Sequence, residues 1–191
     1  MDLFDLEAFK YSSLVIEPLL FQQKLKDFFD LGVKGLRVIK AKNEFINHSF
    51  INGEVYLEPG AVIKPFSYIN GRVLIGKNSI IGPQALIRGD VLIGHNSILS
   101  RCEVKNSIIM DEVNIHHHSY IGDSIIGNRV NIAAGFVAAN LRFDKARVKV
   151  KGFGLAPSYK FGALIGDDSK TMVNASLMPG SVIPKGGLVN A

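Results

Sequence analysis

Large apolar residues recur every six positions through the first half of the chain, at Phe45, Ile51, Leu57, Ile63, Ile69, Ile75, Ile81, Ile87, Ile93 and Leu99. Four residues after each stands Ser49, Val55, Ala61, Ser67, Val73, Ser79, Ala85, Val91, Ser97 or Glu103, mostly small or β-branched. Six residues are too few for a strand plus a helix. Gly or Asn commonly follows the aliphatic position, as in "IGKNS", "IGPQA", "IGHNS" and "IGNRV", so each hexad reads as a short strand and a corner. The aliphatic residue and the small residue four later both face inward, and three hexads, about 18 residues, close one triangular coil that stacks on the next. The register slips near Lys105, resumes at Ile109, Ile115 and Ile121, shifts by one to Ile126, Ile132 and Ala138, and returns as Ile165, Thr171, Leu177 and Ile183. Slips mark loops or altered corners. The pattern predicts an all-β parallel solenoid over 45–191.

Residues 1–44 lack the period. "EPLLFQQKLKDFFDLG" has Pro18 placed for a first helical turn, apolar Leu20, Phe21, Leu25, Phe28 and Phe29, and Gly32 as a stop, which predicts a helix from about 18 to 30. This segment is expected to cap the open first coil, because exposed solenoid ends are strand edges. A second interruption, Asp144 to Ala163, crowds Lys145, Arg147, Lys149, Lys151 and Lys160 into a stretch containing Gly and Pro, predicting a protruding basic loop at 144–161.

Composition narrows the class. At 191 residues the chain suits one main domain with an appendage, and 47% apolar with 20% charged residues indicates a folded globular protein. The formal charge of +5 favours anionic partners without choosing among them. There is no run of 18 apolar residues, and Asp2, Asp5, Glu7 and Glu17 do not fit a cleaved signal, so no membrane partner is expected and the cytoplasm is the expected compartment. A lone cysteine, Cys102, excludes an internal disulfide framework and a multi-thiolate metal site. Nucleic acid is not an expected partner, since no aromatic stacking platform or known module accompanies the charge.

The run His116, His117, His118 sits at a strand exit and corner. Adjacent residues there point in different directions, so the three cannot converge on one ion, although His95 at a corresponding corner could join. The residues alone leave three uses open: a base titrating near neutrality, a plain surface, or, less readily, a metal ligand.

"HHSYIGDSIIGNRVNIAAG" resembles the acetyltransferase half of the bifunctional bacterial and archaeal enzymes that make UDP-N-acetylglucosamine, whose motif has the form H-L-x-Y-x-G-D-x-x-I-G-x-N-x-N-x-G-A-G-T. "IIGNRVNIAAGFVAANLRFD" and "FGALIGDDSKTMVNASLMPG" are similar to the archaeal-type sugar-phosphate nucleotidylyltransferases, so the resemblance spans roughly residues 75 to 185. It implies a left-handed parallel β-helix, the hexapeptide-repeat fold, although general crossover rules give the opposite hand. It also implies an N-acetyltransferase of nucleotide-sugar metabolism, acting on an amino-sugar 1-phosphate with acetyl-CoA as co-substrate, no metal, and sites between the subunits of a homotrimer. Carried over by position, the base falls on His117, sugar-phosphate contacts on Arg88 and Lys105, a tyrosine on Tyr120, sugar-orienting asparagines on Asn131 and Asn140, and the acetyl-CoA stretch on Ala134. These residue types suit the chemistry: histidine can accept the amine's proton, Arg and Lys suit a phosphate, and Asn can donate and accept toward hydroxyls. Lys145 and Lys149 of the basic loop are expected to meet the CoA phosphates, from charge alone.

Departures from the motif are Ala133 and Phe136 at its glycine and threonine, Leu141 where an aromatic is usual, and Met172 for a usual glycine. No Gly-rich nucleotidylyltransferase domain accompanies the repeats, so uridylyl transfer is not implied. A non-catalytic solenoid that binds sugar nucleotides is the alternative. "IRGDVLIG" also resembles the Arg-Gly-Asp strand of γ-class carbonic anhydrases, but Gly122 stands five residues after His117, where a zinc-binding histidine is required.

Overall fold

In a computed structural model, which describes residues 3–191 apart from the side chains of Asn43 and Phe45, the repeats form a three-walled parallel β-solenoid with one short helix near the N-terminus. The inward placement read for Phe45 therefore lies outside the described residues. After a helix, α1 (Phe21–Asp30), come β1 (Arg37–Ile46), β2 (Ser49–Leu57), β3 (Val62–Ile63), β4 (Tyr68–Ile75), β5 (Ile80–Ile81) and β6 (Leu86–Ile93). The long strands β2, β4 and β6 stack in parallel and each turns a corner, so their first halves belong to wall one and their second halves to wall two. Wall one continues through Glu103–Lys105, Tyr120–Gly122, Val137–Ala138 and Ser176–Leu177, and wall two through Ile108–Ile109, Ile125–Ile126, Ala163–Ile165 and Ser181–Ile183. Wall three stacks β3, β5, Ile98–Leu99, Asn114–Ile115, Asn131–Ile132, Lys170–Thr171 and Leu188–Val189.

The hexad anchors fill the centre. Ile51, Ile69, Ile75, Ile81, Ile87, Ile93 and Leu99 are buried there with Ile109, Ile115, Ile121, Ile126, Ile132, Phe136 and Ile165. At the corner between walls one and two, Gly53, Gly71 and Gly89 lie in register, and a Cβ on Gly53 would stand 2.0 Å from the Gly71 carbonyl oxygen. Only glycine permits that approach with φ at 135°.

Near Lys105 the coil tightens rather than looping out. Val104, not Lys105, pairs with Ile87, and Cys102 and Val104 are the inward residues. Glu103, read as inward by counting four from Leu99, therefore faces outward on wall one, where its carboxylate finds partners.

The N-terminal segment differs from a simple cap. Phe21, Leu25 and Phe29 of α1 bury one stripe against Tyr56, Leu74, Leu92, Ile108 and Ile125, the outward row of wall two. The helix lies along this wall because the row is apolar from coil to coil, whereas the solenoid edge is met by β1, antiparallel to β2. β1 carries Arg37, Lys40, Lys42 and Glu44, charges that suit an edge strand, and it runs across position 44, where the sequence pattern began the solenoid.

The 144–161 insertion is also only half as expected. Lys149–Val150 and Gly154–Leu155 form a small antiparallel hairpin whose Val148, Val150 and Ala156 join the outer core with Phe161. Phe161 packs edge-on against Phe21 at 5.7 Å. The loop thus folds back onto wall two and α1 by its apolar residues, while Lys145, Arg147, Lys149, Lys151 and Lys160 stay exposed. Among the described residues no helix is long and apolar enough to cross a membrane.

Candidate active site

The corner between walls three and one carries a column of left-handed residues, among them Gln84, Arg101, His118 and Asn174. His117 and His118 are left-handed in succession, with φ of 54° and 65°, and both rings reach solvent. His116 does not. It is half-buried with Nδ1 2.8 Å from Ser100 Oγ, and burial, then the neighbouring His117, lowers its pKa. The turn that swings two histidines outward tucks the first against the preceding coil. The rings of His116 and His117 are 5.5 Å apart. Beneath them the Gly135 N–H donates to the His117 carbonyl at 2.9 Å, which sets Ala134 in the coil adjoining His117.

Wall one gathers four of the residues carried over from the motif. Arg88 pairs in register with Lys105, and Glu103 with Tyr120, so their side chains project on the same face. Arg88 holds Glu103 through Nε at 2.7 Å and through Nη2, both on one edge of the guanidinium. Lys105 Nζ lies 3.3 Å from Asp123 Oδ2, and Asn140 Nδ2 donates to the same oxygen. Asn140 lies beside Tyr120, whose pKa is raised by burial and then by the charges of Asp123 and Glu103. Gly122 makes this crowding possible: a Cβ there would fall 2.4 Å from the Tyr120 hydroxyl and 2.7 Å from Asn140 Nδ2. An open depression of about 440 Å³ adjoins the cluster, lined by Gln84, Arg101, Glu103, His118 and Tyr120.

Arg88, Lys105, Tyr120 and Asn140 are thus brought together, with His117 at the adjoining corner. Asn131 lies on wall three, exposed, between Asn114 and Lys170 in the ladder. Lys145 and Lys149 lie in the insertion, and Lys149 is in its hairpin. Sequence reasoning missed Glu103 and Asp123, the two carboxylates that hold the cations. The Asp within "IGDS" was a usable signal, since a corner Asp in left-handed conformation turns its side chain toward neighbouring coils.

His95 does not join the three histidines. Its Nε2 lies 2.8 Å from Glu58 Oε2 at the corner between walls two and three, away from hydrogen-bond direction. Among the described residues no group of three or more His, Cys, Asp or Glu side chains is arranged to hold a metal. Cys102 is buried, with its thiol pushed up to about 12 by that burial.

The chain is 52% identical over 157 residues to the bifunctional protein GlmU of Methanococcus maripaludis strain C7, covering 81% of this chain and 38% of that protein. It is 47% identical over 81 residues to the bifunctional sugar-1-phosphate nucleotidylyltransferase/acetyltransferase of Sulfurisphaera tokodaii, covering 41% of this chain and 20% of that protein. The chain therefore spans less than half the length of these curated relatives. A hexapeptide transferase family protein from Anaplasma phagocytophilum shares the fold, with a TM-score of 0.57 at 20% identity over 72% of this chain and 74% of that one. Residues 69–185, which include both the histidine corner and the polar face of wall one, match the GMPPB C-terminal domain, and the chain belongs to that family.

Proposed function

We propose that the protein transfers an acetyl group from acetyl-CoA to the amine of an amino-sugar 1-phosphate, as a homotrimer with its sites between subunits. The observation that carries the reading is the meeting of Arg88, Lys105, Tyr120 and Asn140 on one wall, beside the corner that exposes His117. The acyl chemistry and the sugar phosphate enter from the Sulfurisphaera tokodaii relative, of which a fifth is covered. Its nucleotidylyltransfer forms no part of the proposal.

In the reaction the amine nitrogen attacks the thioester carbonyl while the His117 imidazole accepts the amine proton. The tetrahedral adduct then expels the CoA thiolate, which takes up a proton and leaves an amide on the sugar. Nothing in this sequence calls for a metal. A positioned base contributes about 10² to 10⁴ in rate. Arg88 and Lys105 receive the phosphate. Arg88 spends one guanidinium edge on Glu103, which leaves Nη1 uncommitted among the described residues. Tyr120, Asn140 and Asn131 orient the sugar hydroxyls, Ala134 borders the thioester arm, and Lys145 and Lys149 meet the CoA phosphates. Exposed apolar Val137, Leu141 and Phe143 near this wall are surface for a neighbouring subunit.

The test is NMR of acetyl-CoA incubated with the protein and each of a panel of amino-sugar 1-phosphates. The appearance of an N-acetyl signal with loss of the thioester signal is expected with at least one sugar. Loss of the thioester signal at the same rate with and without sugar would refute the assignment.

A further inference from the structure

Asp123 is buried at the corner between walls one and two with φ of 50°, in the column that begins with Gly53, Gly71 and Gly89 and continues through Asn106. Four donors reach its two oxygens. Oδ2 accepts from Lys105 Nζ at 3.3 Å and from Asn140 Nδ2, and Oδ1 accepts from Asn106 Nδ2 at 3.2 Å and from Gln22 Nε2 at 2.8 Å. A carboxylate offers about four lone-pair sites, so the set is complete. Three of these donors lie in the repeats. Gln22 does not: it belongs to α1, lies before residue 69, where the family match begins, and also donates to the Lys160 carbonyl of the insertion at 3.2 Å.

We infer that Asp123 is a positioning residue for the sugar-phosphate pocket and that α1, through Gln22, is a working part of that pocket. Asp123 sets where the Lys105 ammonium and the Asn140 amide stand, and Gln22 sets Asp123. Loss of the Gln22 donor leaves one lone pair of a buried carboxylate without a partner, and the carboxylate is then free to turn and draw Lys105 and Asn140 with it. The neighbouring contact of Phe21 with Phe161 anchors the helix, so the Gln22 amide arrives at a fixed height on the corner. The inference rests on the proposed substrate.

The experiment reads the side-chain amide signals of Gln22 and Asn140 by ¹⁵N–¹H NMR during titration of the full chain with glucosamine 1-phosphate, together with steady-state kinetics of Gln22→Leu. Both amides are expected to shift with the same half-saturation. Gln22→Leu is expected to raise KM for the sugar phosphate about fivefold to tenfold, with a smaller fall in kcat and a thermal midpoint lowered by only about 2–4 °C. Movement of Asn140 alone, with KM unchanged in Gln22→Leu, would overturn the role of α1 while leaving the substrate intact. Movement of neither amide would remove the substrate assignment and this inference together.

Discussion

Gly122 carries no side chain, and the candidate site depends on that. Gly122→Ala would drive a methyl into the Tyr120 hydroxyl and the Asn140 amide, so both must move while the inward neighbour Ile121 keeps its place. The expected outcome is a loss of about 10-fold to 10²-fold in kcat/KM, because angstrom displacements of positioning groups carry costs of that size. An unchanged kcat/KM in a folded variant would remove Tyr120 and Asn140 from the site. Glu58 gives a second prediction at this scale. Burial raises its carboxyl, but hydrogen bonds from Lys10 and Tyr11 outweigh burial and bring it from 4.5 to about 2. The folded pKa lies below the unfolded one, so Glu58 stabilises the protein fully above about pH 4.5, and that stability drains as pH falls toward 2. Urea midpoints measured across that window should fall less steeply in Glu58→Gln than in the wild type. Equal slopes would contradict the assignment. His117, Arg88 and Lys105 could be proposed from the sequence because the family resemblance assigns their positions. Asp123 was not, because its importance comes from four donors scattered from residue 22 to residue 140.

At the scale of elements, the hexad period made the walls readable and left their coverings unread. Inward positions repeat because a coil centre admits only aliphatic or small residues, whereas an outward position is apolar only where another element lies on it. The row just before the wall-two anchors, Tyr56, Leu74, Leu92, Ile108, Ile125 and Leu164, was the available signal that something packs there. The corresponding wall-one row, with Tyr68, Glu103 and Tyr120, is more polar and borders the candidate site. α1 meets the 144–161 insertion through Phe21 against Phe161, both fully buried, and through the Gln22 hydrogen bond to the Lys160 carbonyl. Phe161→Ala is expected to lower stability by about 3–5 kcal/mol. It should also raise amide hydrogen exchange in α1 and in the Lys149–Leu155 hairpin together. Faster exchange confined to the insertion would show that the helix does not depend on it. The strand β1 escaped the hexad reading because it runs antiparallel and, among the described residues, pairs with β2 alone.

For the whole molecule, a solenoid offers rigid walls of fixed register, and walls one and three meet at the corner that exposes His117 and His118. Wall two is already covered by α1 and the insertion, which leaves the other two walls for the proposed assembly. The proposed homotrimer predicts a scattering mass about three times that of the 20.9 kDa chain. A monomer at micromolar concentration would remove the shared site. The central claim is that His117 is the base of a sugar-dependent acetyl transfer. The most direct test is thiol release from acetyl-CoA with and without an amino-sugar 1-phosphate, comparing wild type with His117→Ala. The account predicts sugar-dependent release that falls by about 10² or more in a variant of unchanged thermal midpoint. Release that persists at the wild-type rate in His117→Ala, or that never depends on sugar, would contradict it.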